Sequence, residues 1–177
     1  NRAIYCESAA QPVFDFITIS NTSDDAVYIT GNSTVSISNS TIEIVFGEAV
    51  TVQDTSSISL DQCIIDFVSG DAVLVNDTSS ASLHQCTCDQ IYGVGVVMET
   101  STGDLSVVNC TMTNHTPLEL YANQIGDVTN CSFPDADGNI RVYLADVTED
   151  AVWENHGTHY RIIDAGNLLI QGTDGPD

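Results

Sequence analysis

The stretch Ala26-Val27-Tyr28-Ile29 returns as Ala49-Val50-Thr51-Val52, Ala72-Val73-Leu74-Val75 and Gly95-Val96-Val97-Met98, each copy 23 residues after the last. A looser copy, Pro117-Leu118-Glu119-Leu120, follows 22 residues later. Self-similarity at a fixed period of this length marks a solenoid, in which each repeat is one turn of a coil and buries its apolar face only against its neighbours. The second half of the repeat keeps the same period. Val35-Ser36-Ile37-Ser38-Asn39-Ser40-Thr41-Ile42 aligns with Ile58 to Ile65, Ala81 to Cys88 and Leu105 to Met112, and Val128 to Phe133 closes the series. Apolar and polar residues alternate in short stretches, the signature of strands with one buried face.

Each repeat accommodates three short strands and three bends. Strand one falls on Ala-Val-x-Val, strand two on Ile-Ser-Ile, and strand three begins at the column Ser40, Cys63, Cys86, Cys110, Cys131. The bend between strands two and three carries Asn39, Gln62, Gln85, Asn109 and Asn130. Asn tolerates a left-handed backbone, and stacked amides can hydrogen-bond up the column. The bend before strand one is acidic or glycine-bearing: Asp24-Asp25, Gly47-Glu48, Gly70-Asp71, Gly93. A leucine-rich repeat has a similar length, but its spaced leucines are absent here.

Rungs of the form x-Ile-x-Asn-Cys/Ser-Thr-Φ, with Asn in a bend, resemble the pectin-lyase-like superfamily of right-handed parallel β-helices. The resemblance runs from Ala26 to Phe133 and concerns architecture. The expected fold is all-β: a right-handed parallel β-helix with about 23 residues per rung, built as a single domain over residues 1–177. Residues 1–25 are expected to form an irregular first rung, 26–133 the regular rungs, and 134–177 an irregular C-terminal rung or cap. In that last part, strands are expected at 140–144, 160–163 and 168–170, with Trp153 and Tyr160 packing the cap or stacking on a sugar.

Composition bounds the partners. The chain has 25 acidic residues, three arginines and no lysine, for a formal net charge of -22. Such a charge repels nucleic acid, polyanions and acidic membrane surfaces, and it suits cations, concentrated salt or simple solubility. No transmembrane run and no signal peptide occur. A chain that starts at Asn1 reads as a processed form or an excised segment.

The sequons Asn21, Asn32, Asn39, Asn76, Asn109, Asn114 and Asn130 are candidate N-glycan acceptors, which points to an extracellular or cell-surface protein. Asn32 and Asn76, in polar turn-like stretches, suit a glycan better than the stacked bend column, where rungs stand only about 5 Å apart. For Cys63, Cys86, Cys110 and Cys131, two vertical disulfides fit the rung spacing. A ladder of buried thiols fits equally. Cys6 and Cys88 fall in apolar columns. Cys86-Thr87-Cys88 is a poor zinc signature, His156-Gly157-Thr158-His159 lacks a third ligand, and Asp135-Ala136-Asp137-Gly138-Asn139 lacks the later acidic ligand of a calcium loop. No metal and no cofactor is expected.

The resemblance also implies a test for catalysis. Lyases of this fold use a basic residue beside clustered carboxylates, and a chain without lysine and with three scattered arginines does not fit. Polygalacturonase-type hydrolases use clustered aspartates. Asn21-Thr22-Ser23-Asp24-Asp25 resembles one such motif, and Asp71 lies two rungs later in the same bend, yet Asp also recurs there simply to turn the chain. The outward positions Ser36, Ser59, Ser82 and Ser106 give a chemically bland face. The reading is a non-enzymatic structural or adhesive module that self-associates through its β-helix ends into a filament or surface layer. The alternative is a carbohydrate-binding or polysaccharide-hydrolysing domain, which a cluster of outward aromatics and carboxylates on one face would favour.

Overall fold

The computed structural model describes residues 1–134, 139–145 and 152–163. Its first rung holds β1 (Ile4–Cys6), β2 (Val13–Asp15) and β3 (Thr18–Thr22); the second holds β4 (Val27–Ile29), β5 (Thr34–Ser38) and β6 (Thr41–Val45). The third holds β7 (Val50–Val52), β8 (Ser57–Asp61) and β9 (Ile64–Val68), and the fourth β10 (Val73–Val75), β11 (Ser80–His84) and β12 (Thr87–Ile91). β13 (Val94–Met98), β14 (Leu105–Val108) and β15 (Thr111–Met112) make the fifth. The sixth is β16 (Thr116–Tyr121), a 3-10 helix (Ala122–Asp127) and β17 (Val128–Thr129), after which come β18 (Ile140–Tyr143) and β19 (Tyr160–Ile162).

Every strand pairs in parallel with its equivalent one rung away. Sheet A runs β1-β4-β7-β10-β13-β16-β18-β19, sheet B runs β2-β5-β8-β11-β14-β17, and sheet C runs β3-β6-β9-β12-β15. The molecule is a parallel β-solenoid. Residues 3–25 were expected to be irregular, yet Ile4 pairs with Val27, Val13 with Ser36 and Thr18 with Thr41, so they form a full rung in the common register. The expected strands at 140–144 and 160–163 extend sheet A as its last two members; the one expected at 168–170 lies outside the described residues.

Inward side chains form continuous apolar columns. Val27, Val50, Val73, Val96, Leu118 and Ile140 stack under sheet A; Ile37, Leu60, Leu83, Val107 and Val128 under sheet B; Ile19, Ile42, Ile65, Cys88 and Met112 under sheet C. All are buried, and each covers the one below it. This column packing supplies the hydrophobic stabilisation that no isolated rung could have.

The bends also stack. Phe16, Asn39, Gln62, Gln85, Asn109 and Asn130 all have positive φ, so the predicted amide column is left-handed throughout, with Phe16 filling the first place. Asn39 and Gln62 donate their amides to the carboxylates of Asp15 and Asp61 rather than to each other. A second left-handed column, Asn21, Ile44, Phe67 and Gln90, bends β3, β6, β9 and β12 of sheet C near their ends. The third bend places Ser8, Gly31, Asp54 and Asp77 in the same conformation. There the Gly31 N–H donates to the Asp54 carboxylate at 2.8 Å and the Asp54 N–H to Asp77 at 3.0 Å, tying successive rungs together.

The 3-10 helix closes the bend of the sixth rung. Gln124, buried, accepts from the Tyr121 N–H at 3.1 Å and donates to the Thr100 and Gly103 carbonyls at 2.9 and 3.0 Å. Gly103 follows the buried serine column Ser33, Ser56, Ser79, and a Cβ there would stand 2.0 Å from the Ser79 carbonyl oxygen.

Leu60 and Ser59 are neighbours on opposite faces of β8. Leu60→Ala leaves a cavity in the middle of a column and is expected to cost about 2–5 kcal/mol, whereas Ser59→Ala should stay within about 0.5 kcal/mol. Thermal unfolding followed by circular dichroism checks this: a fall of several degrees for the first variant and almost none for the second. Equal effects would contradict the register.

Candidate functional site

Sheet A shows an outward row at the x of Ala-Val-x-Val, joined at its far end by Tyr121 and Tyr143. Register puts Tyr5, Tyr28, Thr51, Leu74, Val97, Glu119, Arg141 and Arg161 in that row. At one end Tyr5 and Tyr28 stack with ring centroids 5.7 Å apart, and the Arg2 guanidinium lies 3.7 Å from the centre of the Tyr28 ring. At the other end Arg141 Nη1 donates to Glu119 Oε2 at 3.0 Å and Tyr143 donates to Glu119 Oε1. Hydrogen bonding to Glu119 pushes the Tyr143 phenol up to about 12. Tyr121 lies against Tyr143 with centroids 5.3 Å apart. The three arginines of this acidic chain thus stand along one face at its two ends, Arg2 beside β4 and Arg141 and Arg161 on β18 and β19.

The bend that leads into this face carries the carboxyls. Asp25, only 7% exposed, accepts from the Glu48 N–H at 3.3 Å and from the Thr51 hydroxyl at 3.0 Å. It folds directly over the next rung: a Cβ on Gly47 would stand 2.7 Å from Asp25 Oδ1. The Glu48 carboxyl hydrogen-bonds Asp25, and that bond, with burial, raises Glu48 to about 7. One rung further, Asp71 accepts from the Val94 N–H at 2.8 Å, and burial raises it as well. Just before these bends stand the exposed aromatics Phe46, Phe67 and Tyr92, the last two edge to face at 5.9 Å.

Asp25 and Asp71 are residues that the sequence singles out, and the structure places them in one column with Glu48 between them. Glu48 is visible in the sequence only as a member of the acidic bend column, and Glu119, Arg141 and the tyrosines escape sequence reasoning. For Glu119 and Arg141 the signal was present in the x position of each Ala-Val-x-Val copy, an outward place on sheet A. The contact between Asp25 and Glu48 has a chemical consequence. Glycosidase carboxyls flank a sugar bond at about 5–5.5 Å (retaining) or about 6.5–9.5 Å (inverting), whereas the Glu48 carboxyl hydrogen-bonds Asp25 directly.

Other constellations are arranged differently. Ser38, Asp61 and His84 share a column on sheet B, with His84 Nδ1 2.6 Å from Asp61 Oδ1. The carboxylate rung lies between the other two, and Ser38 donates to Asp15 at 3.0 Å. A nucleophilic triad needs the imidazole between hydroxyl and carboxylate. Ser36, Ser59, Ser82 and Ser106 do align on the outer face of sheet B, where Ser59, Ser82 and Ser106 border a shallow groove of about 280 Å³ with Thr34, Ser57 and Ser80.

Cys63, Cys86, Cys110 and Cys131 stand as free, buried thiols in one column, each donating to the carbonyl two residues before it at 3.3–3.4 Å. Ser40 makes the same bond at the head of the column. Burial pushes Cys88 up. His156 is 6% exposed, packs on Phe133 and has Nδ1 3.2 Å from the Cys131 carbonyl, whereas His159 is exposed. The segment after residue 152 lies back over the last rung, which is what buries it. Trp153 and Tyr160 pack on each other, centroids 5.2 Å apart, against the core. Asp135 to Gly138 of the calcium-loop fragment lie outside the described residues.

The seven sequons separate by exposure. Asn21, Asn32, Asn39, Asn109 and Asn130 are exposed, all at positive φ in bends. Asn76 is half-buried with its Oδ1 enclosed, which reverses the expectation that it is among the best placed. Asn114 is 3% exposed and donates its amide to the Thr116 carbonyl, so this fold has no room for a glycan there.

A family model described as right handed beta helix region matches residues 1–112. The chain belongs to the right-handed β-helix family. The match covers five rungs of the β-helix and ends at Met112, the last residue of β15. No curated protein matches the chain, and no solved structure does.

The burial of all six cysteines in the β-helix has a direct check. A thiol reagent such as Ellman's is expected to find almost no reactive cysteine in the native protein and six after denaturation without reductant. Fewer than six in denaturant would show disulfides in the column.

Proposed function

We propose that this β-helix is a non-enzymatic structural or adhesive module of an extracellular or cell-surface protein. The observation that carries the reading is the exposure of five sequon asparagines on the bends, distributed over the length of the solenoid. Long faces of small hydroxyl and amide side chains, such as the serine row of sheet B, suit display and packing more than turnover. Adjacent rungs are about 4.8 Å apart, so Asn109 and Asn130 accept a glycan one at a time. Self-association belongs to the same proposal: β1, β2 and β3 each have a strand partner on one side only among the described residues, and such edges add further strands readily. No cofactor enters this reading.

A second reading has its own observation. Sheet A brings Tyr121, Tyr143, Glu119 and Arg141 together on its outer face, and this is a combination that stacks on and hydrogen-bonds a sugar. In this reading the face binds carbohydrate without cleaving it.

Protein purified from its native source separates the two. Enzymatic removal of N-glycans, followed by mass spectrometry, is expected to convert Asn to Asp at some of Asn21, Asn32, Asn39, Asn109 and Asn130, and electron microscopy to show stacked rods. Unmodified asparagine at all five, with isolated rods, would overturn the structural reading. Binding to a glycan panel that weakens at least tenfold in Tyr143→Ala would establish the second.

A further inference from the structure

The bend leading into sheet A stacks two carboxylic residues in register on adjacent rungs, Asp25 over Glu48, with the Asp25 carboxylate bonded into the Glu48 backbone. Asp25 is fully engaged: one oxygen takes the Glu48 N–H, the other takes the Thr51 hydroxyl, and the Glu48 carboxyl bonds to the same group. Asp25 is folded over the next rung, its backbone N and its Oδ1 so close to Gly47 that a Cβ added there would stand 2.7 Å from each. Two cations approach the same bend, the Asn1 ammonium at the Ser23 hydroxyl and Arg2 at Asp24, and the other neighbours of the pair are acidic or neutral. Asp24 belongs to the same bend, Asp71 sits one rung on, and Thr51 comes from β7; Glu119 of β16 acts in turn on Asp71. The three ion pairs among the described residues, Arg2–Asp24, His84–Asp61 and Arg141–Glu119, engage neither Asp25 nor Glu48.

Two carboxylates pressed together in this way repel unless a proton lies between them. We propose that Asp25 and Glu48 form a proton-operated latch between the second and third rungs, closed when they share a proton and loosened when both are ionised. The proposal goes beyond the structural and carbohydrate readings and stands whichever of them holds. When the proton is lost, the repulsion falls on the Glu48 N–H···Asp25 and Thr51 hydroxyl···Asp25 bonds, which join the bends before β4 and β7. The β-helix then tightens as the solution becomes mildly acidic.

The direction follows from linkage. Glu48 is raised from an ordinary value of 4.5 to about 7 in the folded protein. Between those two values the folded state keeps a proton that the unfolded chain has lost, so stability falls as pH rises through this window and levels off above it. The contribution is fully present below pH 4.5 and gone above about pH 7.

The test is a carboxyl titration by NMR on protein labelled with carbon-13 glutamate, combined with thermal unfolding at pH 5.5 and pH 8. One glutamate signal is expected to titrate near 7 and to vanish in Glu48→Gln. That variant keeps a donor toward Asp25 without a titrating group. It should therefore melt a few degrees above wild type at pH 8, and the gap should close at pH 5.5. The comparison with wild type cancels the general effect of net charge on both. If every glutamate titrates near its ordinary value, or if Glu48→Gln follows the wild-type dependence on pH, the latch does not exist. Should Glu48→Gln fail to fold, the titration of the wild-type protein still decides.

Discussion

Everything in this molecule depends on each residue standing directly above its own counterpart. In a parallel ladder the rungs are about 4.8 Å apart, so a column of side chains must be compatible with itself. Apolar columns meet that condition easily, since Val on Val or Ile on Leu only removes surface from water. Charged columns do not, because like charges directly opposite one another destabilise a sheet. A chain with 25 acidic residues therefore has to dispose of them column by column.

The solutions differ by position. Glu43, Asp66 and Asp89 stack on the solvent side of sheet C, where water and salt screen them and Gln90 donates to Asp66 at 3.3 Å. Asp61 is followed by His84 and Glu119 by Arg141, so the next rung supplies a partner of opposite or convertible charge. Asp54 and Asp77 receive backbone N–H groups from the rung before. Asp25 is buried over the half-buried Glu48, neither has an ion-pair partner among the described residues, and a shared proton relieves them. The pair is thus the column where the constraint is least relieved.

The same constraint explains how much could be read from the sequence. The 23-residue period, the three strands and the amide bend were legible because a column repeats its chemistry: Asn39, Asn109 and Asn130 announce a left-handed bend by residue type alone. The second left-handed column was not legible. Ile44 and Phe67 are residues that avoid positive φ, and a branched residue there is a true outlier. The rung geometry, fixed by the core columns on either side, imposes the bend whatever residue occupies it. The first rung was hidden for a similar reason, since Phe16 stands where an Asn would have signalled it.

The candidate site was legible in half. Asp25 and Asp71 could be found because they keep the period, but their meaning lies in Glu48, which sequence places in the same column without showing that it reaches Asp25. Glu119, Arg141 and Tyr143 come together only after the spacing changes from 23 to 22 residues at β16, so a strict repeat misaligns them. In the regular rungs the outward row of sheet A already varies, from Tyr28 through Thr51 and Leu74 to Val97, because a solvent-side column has only to avoid repeating a charge. At β16 and β18 that condition is met by alternation, with the Glu119 carboxylate against the Arg141 guanidinium. The serine column on the outer face of sheet B meets it by carrying no charge at all.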